Sequence, residues 1–188
     1  EHSSDKPGTP GTKTFGLTKM VTTDDGLKTT YTPLNPTLST KWFAESKKQL
    51  CYTAHGDKDA YDAMVAEIVR VMSIALTSSQ ITSRPDAVYL TLTSEDGNGV
   101  CDCTACQTAK GQYGSDVGAV IKLCNDVRAG IDTWMDANPN YKRDNLKLLF
   151  FAYNDYVTAP TAGTITMRKD VGVVYAVSDY VNYYFDIY

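Results

Sequence analysis

Residues 146–152 read LKLLFFA, a nearly continuous run of apolar side chains. Such a run is typical of a strand that is buried on both faces of a parallel sheet. Residues 171–177, VGVVYAV, have the same character. Residues 87–93, AVYLTLT, alternate between apolar and polar side chains, and this alternation also predicts a strand. These three segments predict the main part of a sheet.

Two helical patterns separate the predicted strands along the chain. Apolar residues recur at spacings of three, four and seven over residues 61–76, and Asp57 stands in the position of an N-cap. A second apolar stripe covers residues 117–135, with Ser115 as the predicted cap and Pro139 in the segment that ends it. We therefore predict two long helices that each pack one face against the sheet.

The order of these segments predicts the fold class. With a short strand predicted at residues 49–52, QLCY, the order is strand, helix, strand, helix, strand, which is typical of βαβ units. Residues 153–170 lack a helical period and predict a long loop. We predict an α/β domain with a mostly parallel sheet over residues 41–188. Residues 1–40, rich in Thr, Pro and Gly, predict a flexible lead.

Composition excludes several classes of protein. Apolar residues make up 43% and charged residues 21% of the 188 residues, as in ordinary globular domains. The net charge of -4, without a basic cluster, argues against a nucleic-acid partner. The longest apolar runs are about six residues, whereas a membrane span needs about 20, so we expect no membrane span.

A cluster of cysteines is the sharpest local motif. Cys101, Cys103 and Cys106 lie within the run CDCTAC, in a predicted loop over residues 95–114 that follows a strand. Three thiols can surround one ion, but tetrahedral zinc needs four ligands, and Cys51 at the same predicted sheet edge is the best fourth candidate. Cys124 falls on the apolar stripe of a helix and is predicted to be a buried thiol. Disulfides explain the same even set of four, so structural zinc and disulfides both stay open.

Several of these motifs together resemble a bacterial family. Residues 49–51, the run SEDGNG at 94–99 joined to CDCTAC, and the strand that ends in Ala152 and Tyr153 are similar to domain of unknown function 4838. The resemblance covers about residues 41–180. It implies a branch of the glycoside hydrolase barrels, secreted or held at the cell surface, with carbohydrate as partner. A (β/α)8 barrel has about 250 residues, so residues 41–188 would be part of a larger barrel within a longer parent chain.

Acidic and aromatic residues follow the predicted strands, where parallel α/β folds bind ligands. Glycoside cleavage commonly uses two carboxyl groups about 5 to 9.5 Å apart. We predict Glu95 and Asp96 as the catalytic pair, with no cofactor for catalysis. The predicted substrate-binding residues are Tyr153, Asn154, Asp155 and Asp179. Ordinary turn chemistry and solvated acids also explain these residues, and His55, before a glycine, fits an ordinary loop residue.

Three function classes follow. The first is a carbohydrate-active protein, a glycoside hydrolase domain or fragment that acts on a polysaccharide or glycan. The second is a non-catalytic carbohydrate-binding module, favoured by the 13 tyrosines, whose rings suit sugars. The third is a surface module stapled by metal or disulfides. With about four predicted strands, we expect the chain alone to hydrolyse glycosides little or not at all.

Overall fold

A parallel sheet of three strands is the centre of the structure. The computed structural model describes residues 35–44, 50–84, 89–92 and 99–175. Strands β1 (Tyr89–Leu92), β2 (Lys147–Ala152) and β3 (Val171–Tyr175) pair in the order β1-β2-β3, and both pairings are parallel. The described residues therefore form a mixed α/β fold with a parallel sheet, as predicted, whereas the barrel stays a prediction.

Five helices surround or precede the strands in the described part of the chain. They are α1 (Pro36–Ser39), α2 (Lys58–Thr77), α3 (Ser79–Thr82), α4 (Thr104–Tyr113) and α5 (Val117–Ala137). Short 3-10 turns lie at Ala54–Gly56, Pro139–Tyr141 and Asn154–Tyr156. The two long helices, α2 and α5, coincide with the two apolar stripes. The Asp57 carboxylate caps α2 by accepting a hydrogen bond from Ala60 N at 2.9 Å, as predicted.

The main core lies between the long helices and one face of the sheet. Helix α5 packs against β2 and β3, and α2 packs against α5. The deepest side chains are at most 2% exposed and include Met64, Ile68 and Leu76 of α2, Leu123, Val127 and Ile131 of α5, and Leu148 and Phe150 of β2. Burial of these apolar side chains is the main source of stability for this arrangement.

Arg128 ties α5 to the sheet through polar contacts. Its side chain is nearly buried, forms ion pairs with Asp132 at 2.5 Å and Asp170 at 3.4 Å, and donates to the carbonyl of Leu146 at 3.2 Å. Arg168 bridges the same two carboxylates. Because a buried charge needs partners, this network fixes the segments that lead into β2 and β3.

Two predicted elements differ from the observed ones. The strand predicted at 49–52 is a single antiparallel bridge between Phe43 and Leu50, because the chain turns at once through backbone of positive φ at residues 54–56. The loop predicted after β1 contains helix α4 at residues 104–113, which ends at Gly114 in the left-handed conformation, φ 78°. Gly114 is thus an ordinary glycine stop signal for a helix, and the sequence already contained it.

The sheet has one well-covered face among the described residues. Along β2, Leu148, Phe150 and Ala152 are buried, whereas Leu149 and Phe151 are only partly buried. The prediction of a strand buried equally on both faces is therefore wrong for the described part, because α2 and α5 lie on the same side. Within these residues, no helix is long and apolar enough to cross a membrane.

Described residues begin within the predicted lead, at Asn35. The Asn35 side chain caps α1 by accepting from Leu38 N at 3.1 Å, and Leu38 packs against the main core. Just beyond it, Trp42 is 1% exposed and its indole Nε1 donates to the carbonyl of Ala60 at 2.9 Å. These contacts fasten the segment before Cys51 to helix α2.

Alanine substitutions at two neighbouring leucines of β2 test whether the strand is buried on one face of the sheet only. We expect Leu148→Ala to lower the free energy of unfolding by about 2 to 5 kcal/mol, as large-to-small changes in cores do. Leu149→Ala on the other face should cost clearly less. Denaturant unfolding of both variants is the measurement, and equal costs would show that the second face is also fully packed in the protein.

Candidate metal centre

Four of the five cysteines converge, and all five are free thiols. Cys51 Sγ lies 3.8 Å from Cys103 Sγ and 3.6 Å from Cys106 Sγ. A disulfide needs a sulfur–sulfur distance of about 2.0 Å, so these cysteines are not cross-linked. Donor atoms of Cys51, His55, Cys101 and Cys103 all lie within 4.8 Å of one another. The structure thus supplies a group that could hold a metal ion.

One half of the centre is a tight turn that follows the bridge at Leu50. Cys51 N donates to the carbonyl of Trp42 at 2.8 Å, which fixes the start of the turn. Ala54, His55 and Gly56 have φ values of 46°, 55° and 81°. This left-handed backbone folds the chain back, so that the His55 amide donates to Cys51 Sγ at 3.1 Å.

The other half comes from the segment after β1 and the first turn of α4. Cys103 occupies the N-cap position of α4, and its carbonyl accepts from Gln107 N at 3.0 Å. Cys106 follows within the first turn, and its Sγ lies 3.2 Å from Thr53 Oγ1 of the opposite half. The first turn of α4 thus places two sulfurs against the turn at residues 51–56.

The imidazole ring of His55 is oriented by a backbone carbonyl from the segment before Cys51. The His55 Nε2 atom lies 2.7 Å from the carbonyl oxygen of Phe43. Because a carbonyl only accepts, Nε2 carries the proton and Nδ1 keeps its lone pair. Metal-bound histidines usually donate their second ring N–H to such a carbonyl. Sequence reasoning missed His55, which it assigned to an ordinary loop, and the C-x3-H spacing from Cys51 to His55 was a signal that could have found it.

The spacing of the sulfurs fits a tetrahedral ion. With a Zn–S distance of about 2.3 Å, two sulfurs on a tetrahedron stand about 3.8 Å apart. The distance from Cys51 Sγ to Cys103 Sγ, 3.8 Å, matches this edge. Three thiols and one imidazole also form a donor set that is common in structural zinc sites. Cys106 is then a fourth sulfur, in contact with Cys51 of the group.

Hydrogen bonds concentrate negative charge on one thiol of the metal-free cluster. The bond from Cys106, with others from Thr53 and from the His55 amide, lowers the pKa of Cys51 to about 4 against the opposing effect of burial. Burial raises the pKa of Cys101 to about 12. The bond to Cys51 raises the pKa of Cys106, since its proton is shared there. A metal ion would displace further thiol protons on binding.

Cys124 lies apart from this group. It is fully buried in α5 within the main core, as its apolar stripe predicts, and burial raises its pKa to about 12. The other thiols pack with Ala44 in a separate small cluster. Cys124 therefore serves as an internal control for experiments on the metal centre.

The predicted carbohydrate edge is described only in part. Glu95, Asp96 and Asp179 lie outside the described residues, as does the side chain of Asn154. Tyr153 is half-buried, and exposed Asp155 accepts a hydrogen bond from Gly99 N at 2.6 Å. Asp155 thereby ties the turn after β2 to the segment that leads into Cys101.

An open cavity adjoins the metal centre between α2, α4 and α5. Its volume of about 790 Å³ lies within the range of about 300 to 1,000 Å³ that is usual for ligand sites. Tyr61 and Tyr113 contribute aromatic rings, and Tyr61 donates to Asp126 at 2.6 Å. Lys122 donates to the same carboxylate at 2.7 Å and lies 4.5 Å from the centre of the Tyr61 ring.

Comparison with known proteins found no matching family model, no similar curated protein and no similar solved structure. The resemblance to domain of unknown function 4838 therefore stays a prediction. In the described residues, the candidate metal centre and the cavity beside it are the features that could carry a function.

Alanine substitutions at two glycines test how closely the turn at residues 51–56 approaches α4. Gly56 has φ +81°, and an added Cβ would meet Ala105 Cβ at 3.1 Å. We expect Gly56→Ala to destabilise the protein by at least about 1 to 2 kcal/mol, the cost of left-handed backbone for a side chain. Gly111→Ala, in α4 with open space around it, should instead stabilise by about 0.5 to 1 kcal/mol. Thermal unfolding separates the two, and a harmless Gly56→Ala would contradict the observed turn.

Proposed function

We propose that this chain is a zinc-stabilised α/β domain. In this proposal one ion, bound by Cys51, His55 Nδ1, Cys101 and Cys103, joins the turn at residues 51–56 to the start of α4. The observation that carries it is the approach of these four donor atoms to within 4.8 Å of one another. Four protein ligands make a closed site, and closed zinc sites are structural.

Ligand chemistry favours zinc over calcium and magnesium. Calcium and magnesium take oxygen ligands, whereas this group offers soft sulfur and an imidazole nitrogen. The oriented ring of His55, held by the Phe43 carbonyl, supports a fixed tetrahedral arrangement. Such an arrangement suits a structural ion that does no redox chemistry.

The location of the centre explains what the ion contributes. Cys51 and Cys103 are 52 residues apart in sequence, and their cluster is separate from the main core. Closing so long a loop costs conformational entropy, which a metal bond offsets in the folded state. The ion would therefore join two segments that are far apart in the sequence.

Cys106 has a separate role in the proposed site. Its thiol contacts Cys51 and Thr53, but it is not in the group of four mutually close donors. We assign it as a hydrogen-bond donor to the Cys51 thiolate. Cys106→Ser, which keeps a donor, should then retain zinc, in contrast to a change at a ligand.

Metal analysis of the full chain tests the proposed zinc site. We expect about one zinc per chain in protein purified with zinc present, and loss of the ion in Cys101→Ser and His55→Ala. Cys124→Ser should keep the metal, because that thiol lies in the core. A strong chelator should lower the melting temperature of the wild type but not that of Cys101→Ser. A wild type without bound metal and with four reactive thiols would contradict the proposal.

A second candidate function is binding of a neutral carbohydrate in the cavity beside the metal centre. The charged groups around it are paired with one another, Lys58 with Asp62 and Lys122 with Asp126, so an ionic ligand gains little there. Tyrosine rings, with Thr108 and Gln112 at the wall, suit a ring with an apolar face and hydroxyl groups. Hydrolysis by Glu95 and Asp96 remains a separate prediction.

Binding measurements on a panel of sugars test this candidate. For a sugar that binds the wild type, Gln112→Ala and Tyr61→Ala should each weaken affinity about tenfold or more, since one lost contact of about 1.4 kcal/mol has that effect. The matched control is Tyr89→Ala, an exposed aromatic residue on β1. If all three variants bind equally well, the carbohydrate site is not this cavity.

A further inference from the structure

Tyr156 has a buried hydroxyl that the fold leaves without a partner. The residue is 5% exposed, and its ring packs edge-on against Tyr52 with 5.5 Å between ring centres. Among the described residues, its hydroxyl oxygen has no hydrogen-bond partner. Buried polar groups are normally paired, so this hydroxyl needs an explanation.

The space around this hydroxyl leads to the metal centre. A small cavity of about 10 Å³ is lined by Tyr156 together with Cys101, Cys106 and Asp116. This volume is close to the minimum that one water molecule requires. The cavity therefore connects the tyrosine to two of the clustered thiols, with space for at most one small bridging molecule.

Backbone contacts hold Tyr156 at this place. Its amide donates to the carbonyl of Tyr153 at 3.0 Å within the turn after β2. The neighbouring Asp155 accepts from Gly99 N at 2.6 Å, two residues before Cys101. The turn that carries the tyrosine is thus fastened to the segment that carries the thiol.

We infer that Tyr156 is a positioning residue of the metal centre, whose hydroxyl donates a hydrogen bond to the Cys101 thiolate, directly or through one water. This inference rests on the proposed zinc site and deepens it. A tyrosine hydroxyl can donate one hydrogen bond through its O–H. Zinc binding removes the proton of Cys101 and turns its sulfur into a strong acceptor, and such outer hydrogen bonds stabilise bound metal.

The inference predicts opposite effects of one substitution in two states of the protein. Tyr156→Phe keeps the ring against Tyr52 and removes only the hydroxyl. In the metal-free protein, removing an unpartnered buried hydroxyl should leave the melting temperature unchanged or raise it. In the zinc-bound protein, the same change removes a donor to the thiolate and should weaken zinc binding about tenfold or more.

Chelator competition with zinc and the spectrum of the cobalt-substituted protein measure these effects. We expect Tyr156→Phe to lower zinc affinity and to shift the thiolate-to-cobalt charge-transfer band, since a sulfur with fewer hydrogen bonds is more electron-rich. Tyr61→Phe is the matched control because its hydroxyl donates to Asp126 instead. That variant should keep the zinc affinity and the spectrum of the wild type while its melting temperature falls.

Three results would overturn the inference, and they are distinguishable. Unchanged zinc affinity and spectrum in Tyr156→Phe would show that the hydroxyl does not reach the thiolate. An equal loss of stability with and without metal would show that it bonds to Asp116 in a purely structural role. A wild type that binds no zinc would overturn the proposed function itself, and the inference with it.

Discussion

The contact between β2 and α5 is the constraint on which the other parts of the structure depend. Leu148 and Phe150 are almost fully buried beneath the helices, and Arg128 of α5 bonds the carbonyl of Leu146 just before the strand. This contact fixes the orientation of the strands relative to α5. Because β1 and β2 are parallel, the chain leaves both strands at the same edge of the sheet. Cys101 comes after β1 and Tyr156 comes after β2, so the distance between them depends on how β2 packs against α5.

Periodic patterns predicted the long elements because they depend on local spacing. Spacing alone indicates which side chains face a core, whichever element packs against them. This holds for the apolar stripes of α2 and α5 and for the apolar runs of β2 and β3. Helix α4 was missed for another reason. Its ten residues include few buried side chains, Cys106 and Tyr113 among them, so no apolar stripe distinguishes it from a polar loop.

The metal centre shows how far residue type and spacing can be taken. Cys51 was predicted to lie near the CDCTAC run because both were placed at one edge of the sheet. The prediction of closeness is correct, but Cys51 lies in a turn that follows a single bridge and not at the end of a sheet strand. His55 could not be placed in the same way, because its position depends on left-handed backbone and on the Phe43 carbonyl. Both depend on tertiary contacts that short-range patterns do not encode.

The separation of the two halves of the centre has a consequence for how the ion enters and leaves. Each half alone offers only two of the four donors, and the halves meet only when the turn at residues 51–56 lies against α4. In the proposed zinc site neither half would hold the ion firmly by itself, so loading would follow folding, and release would require the halves to separate. Metal exchange with a coloured chelator would thus record the opening rate of this junction while the main core stays intact.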